Sequence, residues 1–139
     1  GQNNPRDLNL LLHQYFNPPY YDLVGGLRLK RKDSIVKIFS SKIANFIRSL
    51  ILRDGCKDTG CSLKVFKRDI FLKYEYFDGM HRFIPALFSA LNKKTFFIEV
   101  DHRYRQFGNS KYGTFKRAIR GIFDIYKVLL ITRNIKNND

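Results

Sequence analysis

Apolar positions along this chain follow two periods, and their alternation sets the expected elements. Leu8, Leu11, Leu12 and Tyr15 recur at i, i+3, i+4 and i+7, which predicts a helix. Asn4 is placed to cap it, Pro5 suits its first position, and Asn-Pro-Pro-Tyr stops it. Tyr21 to Leu29 reads as a strand, in which Gly25 and Gly26 either weaken pairing or let something approach the backbone. Ile35, Ile38, Phe39, Ile43, Phe46, Ile47, Leu50 and Ile51 form a second helical stripe, with Asp33 or Ser34 as its cap. Residues 53–60 are a loop, and Cys61 to Phe71 gives a short strand and then a turn or helix start. A helix is expected from about Met80, with Pro85 in its first turn or kinking it. Lys94 to Tyr104 is a strand and Ser110 to Arg133 a terminal helix.

Helices and strands that alternate point to an α/β architecture. Three strands make a thin sheet for a free-standing α/β domain. The single Met of the 139 residues is Met80. Both features suggest a processed chain or a piece of something longer, and we read the chain as the C-terminal part of a larger α/β domain.

Charge narrows the partner. Lys and Arg number 26 against 12 Asp and Glu, a formal net charge of +14. That excess predicts an anionic partner: nucleic acid, an anionic membrane or a phosphorylated small molecule. Aromatic residues, at 15%, allow nucleic acid. However, no recognised binding motif accompanies them and most follow the core periodicity, so no nucleic-acid partner is expected. No apolar run approaches the roughly 18 residues of a spanning helix, and no signal peptide is visible. Cys56 and Cys61 lack the further ligands a zinc site needs, so they read as ordinary thiols in a reducing compartment.

The most suggestive chemistry lies in His102–Gly113, which follows the apolar run Thr95–Val100. Loops beyond sheet strands commonly hold ligands in α/β proteins. Arg103, Arg105 and Lys111 supply charge, Gly108 permits close backbone approach, and Ser110 can donate a hydrogen bond. The loop is either a diphosphate clamp or a solvated basic surface. Arg28 ends the first strand, and Lys37 and Ser41 share a helix face. Asp78 is placed to cap the following helix, and His81 reads as a packed polar residue. The terminal helix carries Phe115, Ile119, Ile122, Phe123, Tyr126, Leu129 and Leu130 on one face, with Lys116, Arg117, Arg120 and Lys127 beside it. This pattern suits either an anionic membrane interface or a core-packing helix.

Several segments in order resemble one family. Residues 58–71 (DTGCSLKVFKRDIF), 77–87 (FDGMHRFIPAL) and the pattern HRYRQFGNSKYG…RAIRGIFD are similar to the C-terminal catalytic half of family 2 glycosyltransferases acting on polyprenyl phosphates. These are bacterial relatives of dolichol-phosphate mannose synthase. Residues 24–45 (VGGLRLKRKDSIVKIFSSKIAN) resemble the family's G-x-R…SKIAN segment, and GQNNPRDL resembles the stretch after its D-x-D motif. The resemblance covers nearly all of residues 1–130. It implies a partial GT-A fold, its C-terminal half, with a mixed sheet flanked by helices. Residues 1–139 would be the acceptor-side part of the domain, with the nucleotide-binding N-terminal half missing.

The same resemblance implies an inverting transferase that moves sugar from a nucleotide sugar to a polyprenyl phosphate. It implies Mg²⁺ or Mn²⁺ in the intact enzyme, and a peripheral location at the cytoplasmic face of the membrane. A homo-oligomer stays open. Gln2 matches a metal-ligand Gln, whereas the two Asp of D-x-D would lie before Gly1. Arg28, Lys37 and Ser41 match acceptor-phosphate positions, with Lys37 standing for an Arg, which keeps the charge but loses the fork. Arg105, Gly108, Ser110 and Lys111 match the family's loop, and Asp58 matches the Asp of its D-T-G-C turn. Arg105, Lys111 and Asp78 are therefore the catalytic candidates, Asp78 as a base or as a group that orients the acceptor, since many family members place a carboxylate at that helix start. Arg28, Lys37, Ser41, Asp58, Arg103 and Ser110 are the phosphate-binding ones. Asn4 departs from the family, which usually has Asp there. The fragment alone is expected to be inactive, and the alternatives are a non-catalytic remnant or a basic nucleic-acid binder.

Overall fold

The computed structural model describes residues 4–28, 35–101 and 114–138. The elements run α1 (Pro5–Phe16), β1 (Leu23–Leu27), α2 (Ile35–Leu52), β2 (Lys64–Phe66), α3 (Arg68–Phe71), a 3₁₀ turn (Met80–Arg82), α4 (Ile84–Ala90), β3 (Thr95–Glu99) and α5 (Thr114–Asn138). Asn4 caps α1, its side chain accepting from the Arg6 N–H at 3.2 Å, and Pro5 takes the first turn. Pro85 falls in the first turn of α4 and does not kink it.

The sheet order is β2-β1-β3. β1 pairs parallel to β3, with Val24 opposite Phe96 and Gly26 opposite Ile98, and antiparallel to β2, with Val24 opposite Val65. The sheet is thus mixed and flanked by helices. Side-chain alternation in β1 divides the core. Val24 packs on one face with Leu11 of α1, Cys61 and Val100. Leu23 packs on the other with Ile70, Ile84 and Phe88. A further cluster joins Tyr74, Phe77, Met80, Phe83 and Leu87 to Val128 of α5.

The two glycines of β1 admit side chains of the fold itself. A Cβ on Gly25 would stand 2.9 Å from the Phe97 ring. A Cβ on Gly26 would stand 2.9 Å from both Cys61 Sγ and Val100 Cγ2. Both contacts are tighter than real Cβ atoms tolerate, and the neighbours of Gly26 are branched or buried. Gly26→Ala is therefore expected to destabilise the fold by about 1–3 kcal/mol through overpacking. An unchanged urea midpoint would contradict that packing.

α2 is turned against its own pattern. Its inner side carries Arg48, which is buried, with Ser41, Asn45, Ser49 and Leu52 half-buried. Its predicted apolar stripe faces out: Phe39, Ile43, Phe46, Ile47, Leu50 and Ile51 are all exposed, Phe46 and Leu50 each at 68%. α5 behaves similarly. Val128 and Thr132 are buried, and Ile125, Ile131 and Ile135 pack against the core. Ile122, Phe123, Tyr126 and Leu130 of the predicted face are exposed. Among the described residues, core packing in α5 thus uses a different row from the one the sequence singled out. No helix of the described residues is long and apolar enough to cross a membrane.

Candidate functional site

A groove of about 670 Å³ opens between the end of β1 and the inner side of α2. Leu27, Arg28, Ile38, Ser41, Lys42, Asn45, Phe46, Ser49, Gly55, Lys57 and Asp58 line it. Its position follows from the local structure. β1, the central strand, ends at Leu27 and delivers Arg28 just beyond its C-terminal end, α2 forms one wall, and the loop between α2 and β2 forms the other. Leu27, Ile38 and Phe46 make an apolar stretch of the wall. Phe46 also belongs to the exposed row of α2, so the groove is continuous with that row.

Arg28 and Asp58 form an ion pair in the groove. Arg28 Nε donates to Asp58 Oδ2 at 2.7 Å and Nη2 to Oδ1 at 2.8 Å, the two-pronged geometry of guanidinium and carboxylate. The side chains are 13% and 8% exposed. Asp58 also accepts the Arg28 N–H at 3.3 Å and the Gly60 N–H at 3.1 Å. A Cβ on Gly60 would lie 2.5 Å from Arg28 Nη2, so the glycine leaves the guanidinium its place. Asp58 therefore orients Arg28, and an anion that approaches the groove meets a guanidinium whose direction is already fixed.

Behind the pair the surroundings are buried. Cys56 and Cys61 are buried free thiols, and burial pushes Cys56 up to about 11. Lys64 donates from Nζ to the Cys61 carbonyl, and burial lowers its pKa from the usual lysine value. Both thiols stay protonated near neutral pH, which suits packing and not nucleophilic chemistry.

Of the residues predicted for the site, the structure brings Arg28, Ser41 and Asp58 together along one groove. Lys37 lies within α2, but its side chain is outside the described residues, as are Gln2, Arg103, Arg105, Ser110 and Lys111. Just past β3 the chain is tied to α1: the buried carboxylate of Asp7 accepts the Asp101 N–H at 2.9 Å. Asp78 is not in the groove. Its side chain is 86% exposed, 3.9 Å from Arg120 of α5. It does not cap the turn after it, which begins at Gly79 with no side-chain cap bond. Next to it, Arg82 pairs with Asp124 at 2.6 Å and fastens this turn to α5. His81 has its pKa lowered by burial and by the Arg82 and Lys64 charges, so it is neutral near pH 7. Lys42, Asn45 and Lys57 were missed by sequence reading. Nothing in a surface lysine's neighbours in sequence shows that it borders a groove.

The divalent ion that the resemblance implies finds no ligand set here. Among the described residues no group of three His, Cys, Asp or Glu could hold a metal. Gln2, the position to which the resemblance assigns a metal ligand, lies outside the described residues.

Comparison with known proteins gives one consistent result. The chain is 31% identical over 131 residues to the undecaprenyl-phosphate 4-deoxy-4-formamido-L-arabinose transferase of Pectobacterium carotovorum strain PC1. The values are the same for the transferases of that name in Yersinia pestis strain Pestoides F and Yersinia pseudotuberculosis serotype O:3. Each alignment covers 94% of this chain and 39% of the relative, so the chain spans about two fifths of the length of the curated relatives it matches. No protein-family model matches it, and no solved structure does. Over nearly its whole length the chain is homologous to part of the polyprenyl-phosphate sugar transferases of glycosyltransferase family 2.

Proposed function

We propose that this chain is the acceptor-side part of an enzyme that transfers a sugar from a nucleotide-sugar donor to a polyprenyl phosphate at a membrane surface. The observation that carries this reading is the groove: an oriented guanidinium in its lining, an apolar stretch of wall, and continuity with an exposed apolar helix row. A ligand matching all three features has a phosphate head on a long hydrocarbon. The relatives are named for undecaprenyl phosphate, which has that form.

The chemistry asks little of a base. A phosphate acceptor is already an anion, so it attacks the anomeric carbon without first losing a proton. The difficulty is to bring two anionic substrates together. Arg28 meets the acceptor phosphate with guanidinium N–H groups other than the two that Asp58 takes, Asp58 holds the guanidinium in direction, and Ser41 offers a hydroxyl from α2. Lys42 and Lys57 raise the local potential on the two walls. Arg105 and Lys111 would bind phosphate between donor and acceptor, Arg103 and Ser110 would add to phosphate binding, and Lys37 would join Ser41. A divalent ion, when bound, neutralises charge on the leaving diphosphate. Inversion at the anomeric carbon follows from a single displacement.

Membrane attachment has its own support. The exposed rows of α2 and α5 and the net charge of +14 suit an anionic bilayer surface. The cytoplasmic face, where nucleotide sugars are made, is the side proposed.

The test is transfer of label. The protein expressed from its complete reading frame is incubated with labelled nucleotide sugars, Mg²⁺ or Mn²⁺, and undecaprenyl phosphate. Labelled lipid is expected with at least one donor, and the 139-residue chain alone is expected to give none. Absence of labelled lipid with every common donor would remove the transferase reading. Binding of the lipid without turnover would favour a non-catalytic remnant.

A further inference from the structure

Arg48 is a charge buried where the groove has no direct use for it. It sits on the inner side of α2 and is 4% exposed. Nη1 donates to the carboxylate of Asp54, and Nη2 donates to the carbonyl of Cys56. The other oxygen of Asp54 accepts the Cys56 N–H at 3.0 Å. One ion pair thus grips both backbone groups of a single loop residue. Nε of Arg48 has no hydrogen-bond partner among the described residues, and a buried donor without an acceptor is a cost to folding. An apolar pair of similar volume commonly folds as well as or better than a buried ion pair. Stability alone therefore does not account for this arrangement.

The grip lies two residues before Asp58. Just beyond it, the Thr59 hydroxyl bonds to Asn45 Oδ1 of α2 at 3.0 Å. The loop is fixed to α2 on both sides of Asp58, and Asp58 in turn fixes Arg28. We propose that Arg48 is a positioning residue for Arg28: through Asp54 and the Cys56 backbone it holds the loop that presents Asp58, and so sets the direction of the groove's guanidinium. The consequence for ligand binding rests on the prenyl-phosphate reading above. The consequence for Arg28 does not.

The experiment uses the whole chain and three variants: Arg48→Met, the apolar pair Arg48→Met with Asp54→Leu, and Arg48→Lys. The apolar pair keeps the fold where the single change strands the Asp54 charge. Two readouts separate positioning from stability. The first is solvent exchange of the Arg28 Nε–H by nitrogen-15 NMR, at a temperature where each variant is folded. We expect exchange at least tenfold faster in the apolar pair, and partial protection restored by Arg48→Lys. The second is affinity for farnesyl phosphate, with farnesol as the uncharged control. Farnesyl phosphate affinity is expected to fall at least tenfold in the apolar pair, with farnesol unchanged. Unchanged Arg28 exchange in the folded apolar pair overturns the proposal. So does unchanged farnesyl phosphate affinity in a chain that binds it. If the unaltered chain does not bind farnesyl phosphate, the prenyl-phosphate reading fails, and the exchange rate alone decides on Arg48.

Discussion

Arg28→Ala is expected to weaken prenyl-phosphate binding by roughly 10- to 150-fold and to destabilise the fold at the same time. The first effect follows from losing one charge-assisted contact to phosphate, worth about 1.5–3 kcal/mol. The second follows from the ion pair. Asp58 is 8% exposed and receives two bonds from the guanidinium, so removing Arg28 strands a buried carboxylate. Breaking a buried pair from one side costs about 3–5 kcal/mol. The two effects separate in a second variant. Arg28→Ala with Asp58→Ala removes both charges and should regain most of the lost stability, yet no affinity. Urea midpoints and farnesyl phosphate titrations give both quantities. Wild-type affinity in Arg28→Ala would exclude Arg28 as a phosphate ligand. Equal stability of the single and double variants would show that the pair is not a buried one.

The elements were largely legible because local signals agree. In α1, Asn4, Pro5 and the spacing of Leu11 and Tyr15 all point to one helix, and the structure buries Leu11 and packs Tyr15 beside it. β1 and β3 were legible as apolar runs, but their parallel pairing, with β2 antiparallel, depends on connections that no strand's pattern records. Gly25 and Gly26 left open a weakened strand or a close approach to the backbone; both pair within the sheet, and the groups that come close are Phe97, Cys61 and Val100. α2 marks the limit most sharply. Periodicity identified its apolar stripe correctly, yet a stripe does not say what covers it, and here the helix buries its polar side. Within the site, Arg28, Ser41 and Asp58 came from family motifs. Arg48 gave no signal, because an arginine in a helix is ordinarily solvated and only the returning loop makes this one buried.

The outward stripe of α2 leads to the second large effect. Phe39→Ser, Ile47→Ser and Leu50→Ser together are expected to lower partitioning onto anionic vesicles by roughly 40- to 2,000-fold. Full burial of such a side chain is worth about 1.5–3 kcal/mol, and seating in an interface realises about half of that for each of the three. One lysine near an anionic surface contributes only about 1 kcal/mol, so Lys42→Ala should matter less. All three apolar residues are exposed in the folded chain, so its thermal transition should hold. Phe46 is left intact because it also lines the groove, and farnesyl phosphate affinity should therefore be unchanged. Phe16→Ser with Tyr20→Ser removes two equally exposed aromatic residues outside α2 and should not alter partitioning. Flotation with phosphatidylcholine–phosphatidylglycerol vesicles measures each case. Equal loss in both sets would mean that general stickiness, and not the α2 face, holds the chain at the surface. No loss in the α2 set would remove this helix from the membrane contact and leave the groove's apolar opening to be covered by protein.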